Sequence, residues 1–458
     1  MTGILAQKEL DFKSNKLIEL AKRIWDNPET AYKERNASMW TAELLRNEGF
    51  IVETAYAGVP TAIKATWGEG KPVIGFLGEY DALPGMSQKL KTEKDPVVPG
   101  GAGQGCGHNL LGVAHVGAVI GMKKEMVEKN LKGTIIYYGC PAEEVLTGKP
   151  FMARGGGFNE IDMSIAWHPG TRNSITTGTM TALNSAKFHF YGRTSHAGGD
   201  PHNGRSALDS VELMNVGANY LREHVTSDVR IHYVITEGGV APNIVPDKAS
   251  VWYYVRALSR EAVEDTYNRL VEIAKGAAQM NGTQMKVEFF GGCYNTMQNR
   301  VLVDLIHDTM QEIDRPVYTK DELEFAESLN KVSANYDKFL SMGLIPEGVQ
   351  LLNTVDPIKN DNGYGSTDVG DVQHIAPGVM FNTTTSNAGA AGHSWQITAC
   401  SGSTIGMKGM IYAAKIMAVA GIKVLEDQSI LEKAKTEFDK KMNGKKYVNP
   451  IPDYVPIP

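Results

Sequence analysis

At 458 residues the chain is too long for one small core, and about two domains are expected at ~150 residues each. An apolar share of 42% beside 21% charged residues matches ordinary soluble globular chains and argues against disorder or a membrane-embedded fold. The net charge of −6 supplies no basic field, so neither nucleic acid nor an anionic membrane is expected as a partner.

The chain opens MTGILAQKELDFKSNK, where charges interrupt any apolar run, so no secretory leader is expected. Residues 14–49 read as helices, with Leu17, Leu20 and Ile24 on one face and Ser14 as a candidate cap. Short apolar runs then alternate with helical ones: VIGFL at 73–77, a helix from about Leu110 to Lys129, TIIYYGC at 134–140 and MSIAW at 163–167. Continuous apolar strands separated by helices predict an α/β fold with a mostly parallel sheet covered on both faces.

A second pattern fills 183–297. SAKFHFYG alternates like a strand, Ser206 to Val225 is helical, VRIHYVIT and ASVWYYVRA alternate, Arg260 to Asn281 is helical and MKVEFF is a last strand. That order is βαββαβ, a ferredoxin-like split βαβ unit inserted in the chain. The expected division is therefore 1–182 and 298–458 for the larger domain, with 183–297 as the insertion. Residues 314–365 are polar and read as a surface insertion. The tail KKYVNPIPDYVPIP is too rich in proline for a helix or a central strand. GVAHVGAVIGM and AAKIMAVAGIKVL are short or carry lysine, and fit buried helices better than a membrane span. Cys106, Cys140, Cys293 and Cys400 lie far apart with no CxxC, as expected of a reduced, cytoplasmic protein.

Three of the apolar strands end in groups able to bind a metal or move a proton. VIGFL leads to Glu79 and Asp81, TIIYYGC to Glu143 and Glu144, and MSIAW to His168. In open parallel sheets, ligands bind in the crevice beyond the carboxyl ends of the strands. A fourth piece, GGAGQGCGHNLLG, carries Cys106 and His108; if extended, alternate residues would face the same side and could grip a divalent ion. A glycine-rich turn with a buried thiol and a structural histidine is the competing reading of that run. Of the adjacent Glu143 and Glu144, one would ligate metal and the other handle the proton of an attacking water. His393 stands in a small-residue loop, NAGAAGHSWQ, and His196, Asn243 and Arg256 fall in the inserted unit. A hydrolase using Cys106 as nucleophile, and a dinucleotide enzyme lacking its glycine fingerprint, are weaker readings.

In order, the chain contains GEYDALPG, QGCGHNLLG, CPAEE, WHPG, SHAGGDPHNGRSALD, NIVPD, STDVGDV and GHSWQ. Together these resemble the metallopeptidase family of aminoacylases and carboxypeptidase G-type enzymes, in the amidohydrolase branch with a cysteine ligand. The resemblance runs from about residue 15 to 425. It implies a catalytic domain with two divalent ions, zinc or manganese, interrupted by a lid and dimerisation domain at 183–297. By motif it implies Cys106, His108, Glu144, His168 and His393 as metal ligands, Glu143 as general base and Asp81 as an acid supporting the metals from behind. It implies His196 as a catalytic group reaching a partner's site, and Asn243 and Arg256 as substrate-binding positions. The implied reaction is hydrolysis of an amide in an N-acyl amino acid, an aminobenzoyl-glutamate-like compound or a dipeptide. The implied assembly is a homodimer through the lid or a pairing with a related subunit; a regulatory, non-catalytic subunit is the alternative. Asn109 departs from the aspartate many members carry after the CGH motif, which puts a carboxylate partner there in doubt.

Overall fold

Helix α1 (Ile4–Asp26) opens the computed structural model, which describes residues 2–458. Leu10, Leu17, Leu20 and Ile24 form its buried face. Ser14 lies inside this helix and its hydroxyl donates to the Asp11 carbonyl, so the expected cap is corrected. The charges of KELDFK sit on the outer face of a helix that had already begun, and they hid its start.

After α2 (Arg35–Asn47) come β1 (Ile51–Thr54), β2 (Ile63–Glu69), β3 (Val73–Glu79), α3 (His108–Lys129), β4 (Gly133–Cys140), α4 (Gly148–Arg154), β5 (Met163–Gly170) and β6 (Arg172–Ile175). The inserted unit follows as β7 (Ala182–Tyr191), α5 (Ala207–Leu221), β8 (Arg230–Glu237), β9 (Lys248–Ala257), α6 (Arg260–Asn281) and β10 (Gln284–Cys293). The chain then returns with α7 (Arg300–Glu312), α8 (Lys320–Lys331), α9 (Tyr336–Ser341), β11 (Leu352–Val355), α10 (Val369–Gln373), β12 (Gly378–Thr384), α11 (Trp395–Gly402), α12 (Thr404–Glu426) and α13 (Ser429–Met442).

Eight strands form one sheet in the order β1-β2-β4-β3-β5-β12-β6-β11. Its centre, β4, β3, β5 and β12, is parallel. Antiparallel pairs flank it at β1–β2–β4 and β12–β6. Every residue of β3 is buried, which is why it reads as an unbroken apolar run. Helix α3 packs on this sheet and is itself covered by α1 and α12. Helix α12 is long and apolar enough to cross a membrane, yet most of it is buried in this core.

The inserted unit has its own antiparallel sheet, β10-β7-β9-β8, with α5 and α6 packed together on it. That is the βαββαβ arrangement. Helix α5 starts where Ser206 accepts the Asp209 N–H, as a cap should.

Residues 314–365 are more than a surface insertion. They contain α8, α9 and β11, and β11 joins the main sheet beside β6. A strand of four residues that buries only its first gives no alternation to read. The tail beyond α13 has no helix or strand but is anchored: Arg154 donates to the carbonyls of Pro452 and Val455, and Ile451 is buried.

Candidate functional site

The order β4-β3-β5 places the carboxyl ends of these strands side by side. Glu79 closes β3, Asp81 follows two residues later, and His168 lies near the end of β5. After β4 the chain makes a tight turn carrying Glu143 and Glu144, bracketed by Ala142 and Leu146 with φ of 58° and 57°. His393, in the loop before α11, has φ 53°. Left-handed backbone at residues other than glycine costs energy and concentrates at functional sites.

Cys106 and His108 reach the cluster by a different route from the extended strand expected. Gly107 sits at φ 82° and His108 is the first residue of α3. A Cβ on Gly107 would come within 3.1 Å of Pro169 and of Ser401 Oγ, so the turn needs glycine both for its dihedral angle and for its space.

The donor atoms converge. Cys106 Sγ lies 3.3 Å from His168 Nε2. His393 Nε2 lies 3.5 Å from Glu144 Oε2, and His108 Nε2 lies 3.8 Å from Glu143 Oε2. Cys106, His108 and His168 form one group whose ligand atoms all fall within 4.8 Å, and Cys106, Glu144 and His393 form another. Both imidazoles are oriented from behind. His108 Nδ1 is 3.0 Å from Asp81 Oδ1, and His168 Nδ1 is 2.7 Å from its acceptor, the Pro169 carbonyl; each leaves Nε2 facing the cluster. Asp81 Oδ2 also accepts the Glu144 N–H at 2.9 Å, tying the turn to the same carboxylate.

Electrostatics agree with a cation site. Burial pushes the Cys106 thiol up to about 12 and the Glu144 carboxyl up to about 7. Burial, then Glu79 beside it, pushes Glu143 well above the usual carboxylate range. Burial, with His108 adding, pulls His168 down to about 4, so its Nε2 carries a free lone pair. Burial also opposes a charge on His108, but Cys106 and Asp81 outweigh it and hold that imidazole well above its usual value. The field that would keep a proton on His108 is the field that would hold a cation in its place. His108 Nε2, Glu79 Oε2 and Glu144 Oε1 are buried with no hydrogen-bond partner. Orphaned polar atoms of this kind are what a bound divalent ion would satisfy.

Two groups at the site carried no sequence signal. Lys149, fully buried on α4, ion-pairs with Glu79 and, at 2.6 Å, with Asp368 Oδ1. Its backbone N–H also donates to Asp368 Oδ2. A single lysine in a loop-like TGKPF reads as exposed by default, and Asp368 lay within the STDVGDV run without a role. Asn109 is accounted for: its amide donates to the carbonyls of Ala21 and Ser401, away from the donor cluster.

A cavity of about 610 Å³ opens over the cluster, lined among others by Cys106, Glu143, Glu144, His168, His393 and Arg256. Arg256 reaches it from β9. His196 and Asn243 do not line it. They stand together elsewhere on the inserted unit, exposed, joined by the Ala197 N–H donating to the Asn243 carbonyl.

With this geometry in view, the likeness to known proteins is direct. Residues 181–279 match the family model described as a peptidase dimerisation domain. The chain is 36% identical to the B subunit of the p-aminobenzoyl-glutamate hydrolase of Escherichia coli, over 95% of each chain. It is 27% identical to the Xaa-Arg dipeptidase of Mus musculus, over 97% of this chain and 94% of that one. Among solved structures, the Bacillus subtilis YXEP protein, described as a dinuclear metal binding peptidase from the M20 family, superposes with a TM-score of 0.60 at 16% identity, over 91% of this chain and 99% of that one. The chain belongs to the M20 peptidase family and is a hydrolase of amide or peptide bonds.

Proposed function

We propose that the chain hydrolyses the amide of an N-acyl amino acid, an aminobenzoyl-glutamate-like compound or a dipeptide, using two divalent ions, zinc or manganese, held by Cys106, His108, Glu144, His168 and His393. The observation that carries this reading is the pair of donor groups sharing Cys106, set among buried atoms that lack any other partner. When bound, such ions supply Lewis acidity that makes water a nucleophile near neutral pH and polarises the amide carbonyl.

The chain's own residues do the rest. Glu143 takes the proton of the attacking water and returns it to the leaving amine nitrogen. Asp81 and the Pro169 carbonyl keep the ligating nitrogens turned inward. Arg256 receives the substrate carboxylate, for which a guanidinium fork is suited.

His196 has a defined tautomer. Its Nδ1 accepts the N–H groups of Gly198 and Gly199 at 3.1 and 2.9 Å, so the proton is on Nε2, pointing outward as a donor. Exposed and away from its own cavity, it serves as oxyanion donor, with Asn243 beside it, in the site of a partner chain. The partner is a second copy joined through the 183–297 unit or a related chain, an option raised by the E. coli relative being one of two differently named parts of its hydrolase.

The test is to strip the protein with a chelator, reload it separately with zinc and manganese, and offer a panel of such amides. Two ions per chain and turnover of at least one class are expected. A chain that retains neither ion ends the proposal; one that binds both yet cleaves nothing, alone or with a related chain, is regulatory.

A further inference from the structure

Arg256 is an arginine without an acid. No carboxylate pairs with it among the described residues, and directly opposite it on β8 stands Arg230, a like charge. Opposed like charges in an antiparallel pair cost stability, and an anion supplied by a ligand would offset that cost. One protein acceptor holds the guanidinium: Ser366 Oγ, 2.7 Å from Arg256 Nη1. The Tyr254 ring lies 5.5 Å away on the same strand. A guanidinium has five N–H donors, so most of this one's remain unspent at the wall of the cavity.

Ser366 is itself seated. Its hydroxyl lies 2.9 Å from Thr181 Oγ1, and Thr181 donates its N–H to the Gly365 carbonyl at 2.9 Å. Two further backbone bonds stitch the same loop to the segment that links β6 to β7: Thr177 N–H to the Lys359 carbonyl, and Gly363 N–H to the Thr179 carbonyl. Two residues on, Asp368 grips the buried Lys149. The loop that positions Arg256 is thus anchored in the catalytic core, while Arg256 itself belongs to the inserted unit. Around them the cavity wall includes Met180, Met380 and Ile397, which offer a carboxylate no other cation.

We infer that Ser366 is a positioning residue for substrate recognition: it fixes Arg256 so that the guanidinium selects amides whose amino-acid part keeps a free carboxylate. This rests on the amidohydrolase reading above and adds the specificity device. Arg256 acts within its own chain, since both it and Ser366 line the same cavity as the donor cluster.

The experiment compares a matched pair of substrates, an N-acyl amino acid and its carboxamide, in the metal-loaded wild type, Ser366→Ala and Ser366→Thr. Ser366→Ala should raise KM for the free acid roughly tenfold with kcat within about twofold, and leave the carboxamide's KM unchanged. Ser366→Thr, which keeps the hydroxyl, should restore the wild-type KM. Equal shifts for both substrates, or none, overturn the inference. A second readout does not depend on turnover: calorimetric binding of glutamate, as a free carboxylate probe, should weaken by a similar factor in Ser366→Ala. Equal binding by both proteins overturns the inference even if the chain is an amidohydrolase. Weakened binding in a chain that cleaves no amide supports the Ser366–Arg256 seat and sinks the amidohydrolase reading instead.

Discussion

Two histidines of this chain show how differently its two units hold a reactive group. His108 is fully buried, oriented by an aspartate that follows β3, and placed among donors drawn from four separate segments. His196 is exposed and is oriented only by the N–H groups of its own turn. The first is fixed by the whole fold and finished within one chain. The second is fixed locally and stands outside the cavity of its own chain. The donor cluster therefore resides in the sheet crevice, and if His196 serves a partner, as proposed, the site is completed only on assembly.

That contrast can be broken in several ways. The largest effect is expected from Glu143→Gln, which should lower kcat on the order of 10³-fold while ion content and melting temperature stay unchanged. Undiminished turnover would remove Glu143 from the reaction. Next, His196→Ala and Glu143→Gln proteins, each nearly inactive, should recover about a quarter of the wild-type rate when refolded together in equal amounts. Half of the dimers are then mixed and each has one complete site. If mixing restores nothing, His196 does not serve a partner.

Stability sharpens the comparison further. Lys149→Met strands Glu79 and Asp368 without their cation and should cost about 3–5 kcal/mol in urea titration. His196→Ala should cost less than about 0.5 kcal/mol. Equal losses would mean that the crevice is no more rigidly built than the exposed turn.

A smaller effect than the loss of Lys149 lies at the seam between the units. Burial pushes the Asp371 carboxyl up to about 7, even though it accepts the Tyr294 N–H and the Tyr447 hydroxyl. A carboxyl raised on folding favours the folded state fully below its unfolded value near pH 4, and that contribution is lost as pH rises through 7. Asp371→Asn should therefore raise the melting temperature by roughly 3 °C at pH 8 and give no gain at pH 4. A difference that does not vary with pH would show that Asp371 does not titrate in this way.

Much of this was legible because it rests on patterns that local physics imposes. The unbroken apolar runs of β3, β4 and β5 mark strands buried on both faces, and the residues that follow them land on one edge for that reason alone. The inserted unit declared itself by alternation and by helix spacing. What escaped depends on partners distant in sequence. Lys149 looks like any surface lysine until Glu79 and Asp368 close around it, and Ser366 gains a purpose only where β9 brings Arg256. The short β11 buries too little to show a period, and the start of α1 was hidden by charges on its outer face.

The place of β12 has a consequence for how the molecule is made. It fills the gap between β5 and β6, both synthesised before the inserted unit, whereas that unit pairs its strands only among themselves. On the ribosome the insertion can close its sheet as soon as β10 emerges, while β5 waits with an open edge for a strand still to be translated. The inserted unit can thus be ready before the crevice is complete; if it joins chains, as proposed, a newborn chain can find its partner before it can do any chemistry.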